Sequence, residues 1–226
     1  MNERFQSLYR QLGYRFSDER LLAEALTHRS AATRNNERLE FLGDALLNWL
    51  VAENLYHRCP DATEGELTRL RANLVQEPAL AELATALNLG EHLTMGAGEI
   101  RTGGFRRHSI LADTFEALLA AVFLDGGLDA AREVFLRIYC ERLECLPDAE
   151  SLKDAKTRLQ EYLQARGLSL PTYQVIETTG QAHQQLFRVR CSISADKGSA
   201  EGTGASRRQA EQVAANMLLT QLKVSE

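Results

Sequence analysis

Leu39-Glu40-Phe41-Leu42-Gly43-Asp44-Ala45-Leu46-Leu47 is an apolar, helix-forming run that carries two acids. Ile110-Leu111-Ala112-Asp113-Thr114-Phe115-Glu116-Ala117-Leu118-Leu119 is a second run of the same kind. Runs this apolar are expected to be buried. An unpaired buried carboxylate costs several kcal/mol, so an acid in such a place pairs with a cation or binds a metal. Glu40 and Asp44 are four apart, and Asp113 and Glu116 are three apart, so each pair shares one helix face. If the two helices pack together, four carboxylates converge. An all-oxygen donor set suits Mg²⁺, with Mn²⁺ as a substitute.

The helical pattern extends outward from these runs. Phe5, Leu8, Tyr9 and Leu12 have helical spacing and Gly13 ends that helix, while Asp18 can cap the next. The first acid-bearing helix is expected over about 36–57, followed by helices entered at Thr63-Glu64 and at about 77. Residues 95–107 read as a glycine-rich loop, the second acid-bearing helix as about 108–125, and a last helix as 128–144 after Gly126-Gly127. After Leu146-Pro147-Asp148-Ala149-Glu150-Ser151 the period changes. A helix over 155–166, strands at 173–178 and 186–193, a short strand within 198–204 and a helix over 206–222 give the order α-β-β-β-α. Ala210, Val213, Ala214, Met217 and Leu218 are expected on the core face of the last helix. The fold class is an all-α N-terminal domain (1–146), a linker (147–153) and a small α+β domain (154–226) with both helices on one face of its sheet.

Composition bounds the function. The chain has 226 residues, 44% hydrophobic and 25% charged, a globular composition with enough apolar residues for a core. Its longest apolar stretches are too short to span a bilayer, and no signal-peptide core follows the first residues. Cys59, Cys140, Cys145 and Cys191 are scattered, with no CxxC pair. Reduced thiols in a cytoplasmic protein are expected rather than zinc. Net charge is −5, but it is unevenly spread. Residues 1–150 hold 16 Arg, no Lys and 24 acids, whereas 151–226 hold 10 basic and 7 acidic side chains. The change of sign suggests two domains with different tasks.

Asn36-Glu37-Arg38-Leu39-Glu40-Phe41-Leu42-Gly43-Asp44 closely resembles the signature of the ribonuclease III family. Leu26-Thr27-His28-Arg29-Ser30, Gly103-Gly104-Phe105-Arg106-Arg107 and Ile110 to Ala117 resemble further blocks of that family, in order, and the C-terminal part resembles a double-stranded RNA-binding domain. The resemblance covers nearly the whole chain. It implies a helical catalytic and dimerisation domain, and an endoribonuclease that cuts double-stranded RNA through Mg²⁺. It implies 5′-phosphate and 3′-hydroxyl ends with short 3′ overhangs, on ribosomal RNA precursors and structured messenger RNA. No organic cofactor and no membrane partner are expected.

The resemblance carries Glu40, Asp44, Asp113 and Glu116 over as metal-site residues, with Asp44 and Glu116 as the foremost catalytic ones. Phosphodiester hydrolysis needs an activated water and a stabilised leaving oxygen, and carboxylate-held metal ions supply both. The alternative is helix acids paired with Arg29 and Arg38. Glu37 and Glu64 are implied as cleft or RNA-contact acids, with solvated surface acids as the alternative. Phe41 is implied to plug a socket on a second subunit of a homodimer, or else is an ordinary core phenylalanine. His28 is read as a core or capping histidine. Arg106 and Arg107 reach phosphates or serve in caps and ion pairs.

RNA contact is expected at three patches of the C-terminal domain. Ser206, Arg207 and Arg208 open a helix whose N–H groups favour phosphate. Gln160 and Gln164 are one turn apart and suit minor-groove edges and 2′-hydroxyls, and His183 lies in a loop that would enter a second minor groove. Such domains usually read Lys-Lys-x-Ala-Lys where this chain has Arg207-Arg208-Gln209-Ala210-Glu211. That departure predicts one fewer phosphate contact. The rival reading is a non-catalytic dimeric double-stranded RNA-binding protein.

Overall fold

The computed structural model describes residues 5–181, 185–193 and 198–224. It divides into two compact units, residues 1–152 and 153–226. The first contains α1 (Gln6–Leu12), α2 (Glu19–Ala25), α3 (Glu37–Arg58), α4 (Glu64–Val75), α5 (Glu77–Ala86), α6 (Leu89–His92), α7 (Ala97–Arg101) and α8 (His108–Glu144).

α8 is the axis of the helical unit. Its first arm is buried almost all round, from Ile110 through Val122, with Thr114 returning its hydroxyl to the Ile110 carbonyl (2.6 Å). A helix buried on every side needs partners on every side, and α2, α3 and α5 provide them. The helix breaks at Gly127 (φ 78°, ψ −175°), a conformation only glycine adopts cheaply, so the two expected helices are two arms of α8. In the second arm Phe135 stacks on Tyr139 at 4.6 Å, and the Tyr139 hydroxyl donates to the Leu74 carbonyl (3.2 Å), which ties α8 to α4. Thr63 and Glu66 form a reciprocal capping box at the start of α4. The segment after α8 remains with this unit: Arg69 donates to the Ala149 carbonyl (3.1 Å), and Leu146, Ala149 and Leu152 pack on the helical core.

The glycine-rich segment departs from expectation by folding into α7 and a 3-10 turn, Gly104–Arg106. It is held to the 26–30 loop by hydrogen bonds from His28 N–H to the Thr94 carbonyl (3.0 Å) and from Thr94 N–H to the Leu26 carbonyl (2.8 Å).

The second unit is α9 (Ala155–Gln164), β1 (Thr172–Thr179), β2 (Leu186–Ser192), β3 (Ser199–Gly204) and α10 (Arg207–Val224). The sheet is antiparallel in the order β1-β2-β3. Val189, Cys191 and Ala200 on one sheet face are buried with Leu159 and Leu163 of α9 and Ala210, Ala214 and Leu218 of α10. A Cβ on Gly202 would overlap the Ala214 backbone, so this glycine lets α10 lie directly on β3. The expected core face of α10 is corrected. Val213 and Met217 are exposed, while Glu211, Ala215 and Leu219 are buried, a rotation of the stripe by about one residue.

Candidate active site and nucleic-acid interface

α3 and α8 cross backbone to backbone at Gly43. A Cβ there would overlap the Glu116 carbonyl. The contact sets Glu40 and Asp44, on either side of Gly43 along α3, against Asp113 and Glu116 of α8. The four acids are brought together, but not as deeply as their apolar runs imply. Glu40, Asp113 and Glu116 are half-buried and Asp44 is exposed. The core side of α3 is carried by Leu39, Leu47, Leu50, Val51 and Leu55, and the acids follow the rim of that stripe.

Burial and neighbouring charges raise Glu116, Glu40 and Asp113. Burial pushes the Glu116 carboxyl up to about 8, and the charges of Asp44, Asp113 and Glu40 add to the rise. Glu40 is raised by burial and then by Asp113 and Glu37, with Arg29 opposing. Asp113 is raised by burial and then by Glu77, with His28 and Arg29 opposing. Among the described residues none of the four makes an ion pair. Arg29 instead meets Glu37 at 3.5 Å, so of the expected alternative only a longer-range pull of Arg29 on Glu40 and Asp113 is present, without a direct ion pair. Asp44 accepts a hydrogen bond from the Asn48 amide (2.9 Å).

This set fits a hard divalent cation by donor chemistry: carboxylate oxygens only, raised by burial and neighbouring acids, with Arg29 offsetting that rise only in part at Glu40 and Asp113. Among the described residues no three acid, His or Cys side chains stand ready as a cation cluster.

A cleft of about 470 Å³ opens beside the acids, lined by Glu40 and Asp113 together with His28, Glu37, Glu99 and Arg107. Glu37 is thus in the cleft. Glu64 is not among its lining residues; it stands exposed at the start of α4 and accepts from the Thr68 hydroxyl (2.9 Å). His28 is not a core residue. Its Nδ1 accepts from the Ser30 N–H (3.2 Å), and the Ser30 hydroxyl oxygen accepts from the Gly96 N–H (3.0 Å), which fixes the ring at the cleft wall. Arg107 pairs with Glu99 at 2.9 Å, while Arg106 lies over the Phe105 ring at 5.1 Å. Sequence reasoning missed Glu99, Asn36 and Ser109, which also line the cleft. They come from loops and helix starts, where no period marks a face.

Phe41 is 81% exposed, which excludes the core alternative. Trp49 and Tyr56 of the same helix are also exposed.

In the second unit Gln160 and Gln164 are exposed on α9, opposite the buried Leu159 and Leu163. Ser206 caps α10, its hydroxyl accepting from the Gln209 N–H (3.2 Å). Arg208 is exposed, and Arg207 donates from Nε to Glu211 (2.9 Å). His183 lies outside the described residues.

Comparison with known proteins agrees with this architecture. The Ribonuclease-III-like family matches residues 18–143, and the Double-stranded RNA binding motif matches residues 155–222. Ribonuclease 3 of Nitrosococcus oceani is 54% identical over 224 residues, 98% of this chain and 96% of its own length. Ribonuclease 3 of Pasteurella multocida is 50% identical over 224 residues, 99% of this chain and all of its own. The nuclease domain of ribonuclease III from Campylobacter jejuni, in a structure concerned with a region involved in dimer formation, superposes with a TM-score of 0.61 at 42% identity. It covers 62% of this chain and 99% of its own. The chain belongs to the ribonuclease III family, the endoribonucleases that act on double-stranded RNA.

Proposed function

We propose that the chain hydrolyses phosphodiester bonds in double-stranded RNA with divalent metal, Mg²⁺ in the cell and Mn²⁺ as a substitute, held by Glu40, Asp44, Asp113 and Glu116. The products are 5′-phosphate and 3′-hydroxyl ends with short 3′ overhangs. The observation that carries this reading is the meeting of two acid pairs at the Gly43 crossing, where burial and then the charges of Asp44, Asp113 and Glu40 push the Glu116 carboxyl up to about 8. When bound, the metal supplies an activated water and charge stabilisation on the leaving oxygen. Glu116 and Asp44 would be the foremost carboxylates holding that metal, while Glu40 and Asp113 would complete its oxygen shell or hold its waters. Arg29 and Arg107, at the cleft wall, offset the phosphate charge as the strand enters. Glu37 lines the approach, and Glu64 serves RNA contact from outside it.

The C-terminal domain grips the duplex through Gln160, Gln164, His183, Ser206, Arg207 and Arg208, by shape more than sequence. Residues 147–153 join the two domains. The enzyme works as a homodimer, with exposed Phe41 seated in the partner and two centres set across one duplex. Its substrates are ribosomal RNA precursors and structured messenger RNA in the cytoplasm. No described helix is long and apolar enough to cross a membrane.

The test is cleavage of a labelled RNA duplex of several tens of base pairs, with Mg²⁺, with EDTA, and by Glu116→Gln with Mg²⁺. Products in the first lane alone, with the variant still binding duplex, support the reading. Binding without cutting in every lane, Mn²⁺ included, leaves a dimeric RNA-binding protein instead.

A further inference from the structure

Glu211 is the acid that replaces a cation in the phosphate-binding helix start, and it is only 8% exposed. Its two oxygens are both occupied. Oε1 accepts from Arg207 Nε (2.9 Å), and Oε2 accepts from Lys156 Nζ (2.7 Å). Two strong cations hold its carboxyl below the usual range, Lys156 foremost. Lys156 belongs to α9, not α10, yet the carboxylate brings its ammonium beside the Arg207 guanidinium.

The position of Lys156 is held from several sides. Its backbone N–H donates to the Gln212 side chain (3.2 Å), and Gln212 donates to Asp154 (3.0 Å), the cap of α9. Its ammonium also sits 4.5 Å from the Tyr173 ring centroid. Arg158, two residues further along α9, bonds Asn216 (2.8 Å), one turn beyond Gln212 on α10. The first turn of α9 is therefore bolted to the first turns of α10. Neither cation is used up by this arrangement. Arg207 spends Nε, leaving both terminal nitrogens free on a side chain that is 64% exposed. Lys156 spends one of three N–H groups and keeps 36% of its side chain exposed.

We propose that Lys156 is a phosphate ligand for duplex RNA, the third cation of the site delivered in space from α9, and that Glu211 is the positioning residue that aims Lys156 and Arg207 outward. The inference rests on the reading of the C-terminal domain as the duplex-binding one. It revises the expectation of one fewer phosphate contact, because the cation missing from α10 is replaced from the neighbouring helix. The physical logic is that of an oriented guanidinium. A side chain tethered at Nε has less freedom to lose when its outer nitrogens meet a phosphate.

The test is the affinity of the full chain for an uncut RNA duplex in EDTA, measured against salt from 50 to 300 mM (roughly the range in which counterion release dominates). Lys156→Gln can still donate to Glu211 but carries no charge. The slope of log Kd against log salt should fall by about one for each bound domain, with binding weakened roughly threefold at physiological salt. Lys156→Arg should restore the slope. Glu211→Gln should weaken binding although it adds a net positive charge, because the aim of both cations is lost. An unchanged slope in Lys156→Gln would overturn the role of Lys156, and tighter binding by Glu211→Gln would show a brake rather than a positioning residue. Thermal unfolding of each variant separates these outcomes from loss of fold. Failure of the wild-type chain to bind duplex at all would instead contradict the proposed function.

Discussion

Glu116 and Glu211 are the same residue type, each partly sheltered on a helix packed into a core, and their carboxyls are displaced in opposite directions. Glu116 is desolvated by burial and faces three other acids, and its carboxyl is pushed up to about 8. Glu211 faces Lys156 and Arg207 and ionises more readily than an ordinary glutamate. An acid given two cations organises the structure around it. An acid surrounded by acids stores a demand for positive charge that only something from outside the chain can meet. The contrast separates a positioning carboxylate, whose cations outweigh its burial, from a site carboxylate, whose burial and acid neighbours act in the same direction.

The largest effect expected from breaking the contrast is at Glu116. Glu116→Gln keeps the shape and removes the charge, and should cut duplex cleavage by a factor of about 10³ or more, equivalent to ~4 kcal/mol in the barrier, while leaving duplex binding intact. Gly43→Ala comes next. The new methyl would push α3 off the Glu116 carbonyl, costing about 1–3 kcal/mol of stability by overpacking and separating the acid pairs, so cleavage should fall together with the unfolding midpoint. Phe41→Ala should weaken self-association by ~2 kcal/mol, about thirtyfold, as read by sedimentation at several concentrations.

The two carboxyls also predict opposite pH responses. Because Glu116 holds its proton in the folded state more tightly than in the unfolded state, its contribution is complete below the ordinary carboxylate range and is lost as pH rises toward about 8. Glu211 contributes above the ordinary carboxylate range and loses its contribution on acidification. Hydrogen exchange in EDTA should therefore show α8 opening more readily from pH 5 to 8, and α10 only at acid pH. Glu116→Gln should flatten the first trend. Protection of α8 that rises across that window would contradict the assignment. The smallest effect is expected for Glu211→Ala, about 1 kcal/mol in the unfolding of the C-terminal domain, since both its partners reach solvent.

The same contrast shows how far sequence reading reached. The acid pairs were visible because three- and four-residue spacing survives in any helix. The apolar runs around them overstated their burial, because α3 buries only the stripe through Leu39, Leu47 and Leu55 and leaves Asp44 and Phe41 outside it. The α-β-β-β-α order was likewise carried by period and turn residues. The role of Glu211 was hidden. Lys156 lies 55 residues away in sequence, and no local pattern announces a partner delivered by another helix. Glu99 and His28 were obscured for a related reason, since the clamp between the 26–30 and 94–96 segments is a tertiary event.

The central claim is that the acids at the Gly43 crossing form a divalent-metal centre, and Mn²⁺ binding followed by electron paramagnetic resonance tests it most directly. Wild-type protein titrated at pH 8 should take up Mn²⁺ with loss of the free-ion signal. Glu116→Gln, folded and still able to bind duplex RNA, should leave most of that signal in place. Equal uptake by both proteins would contradict the account.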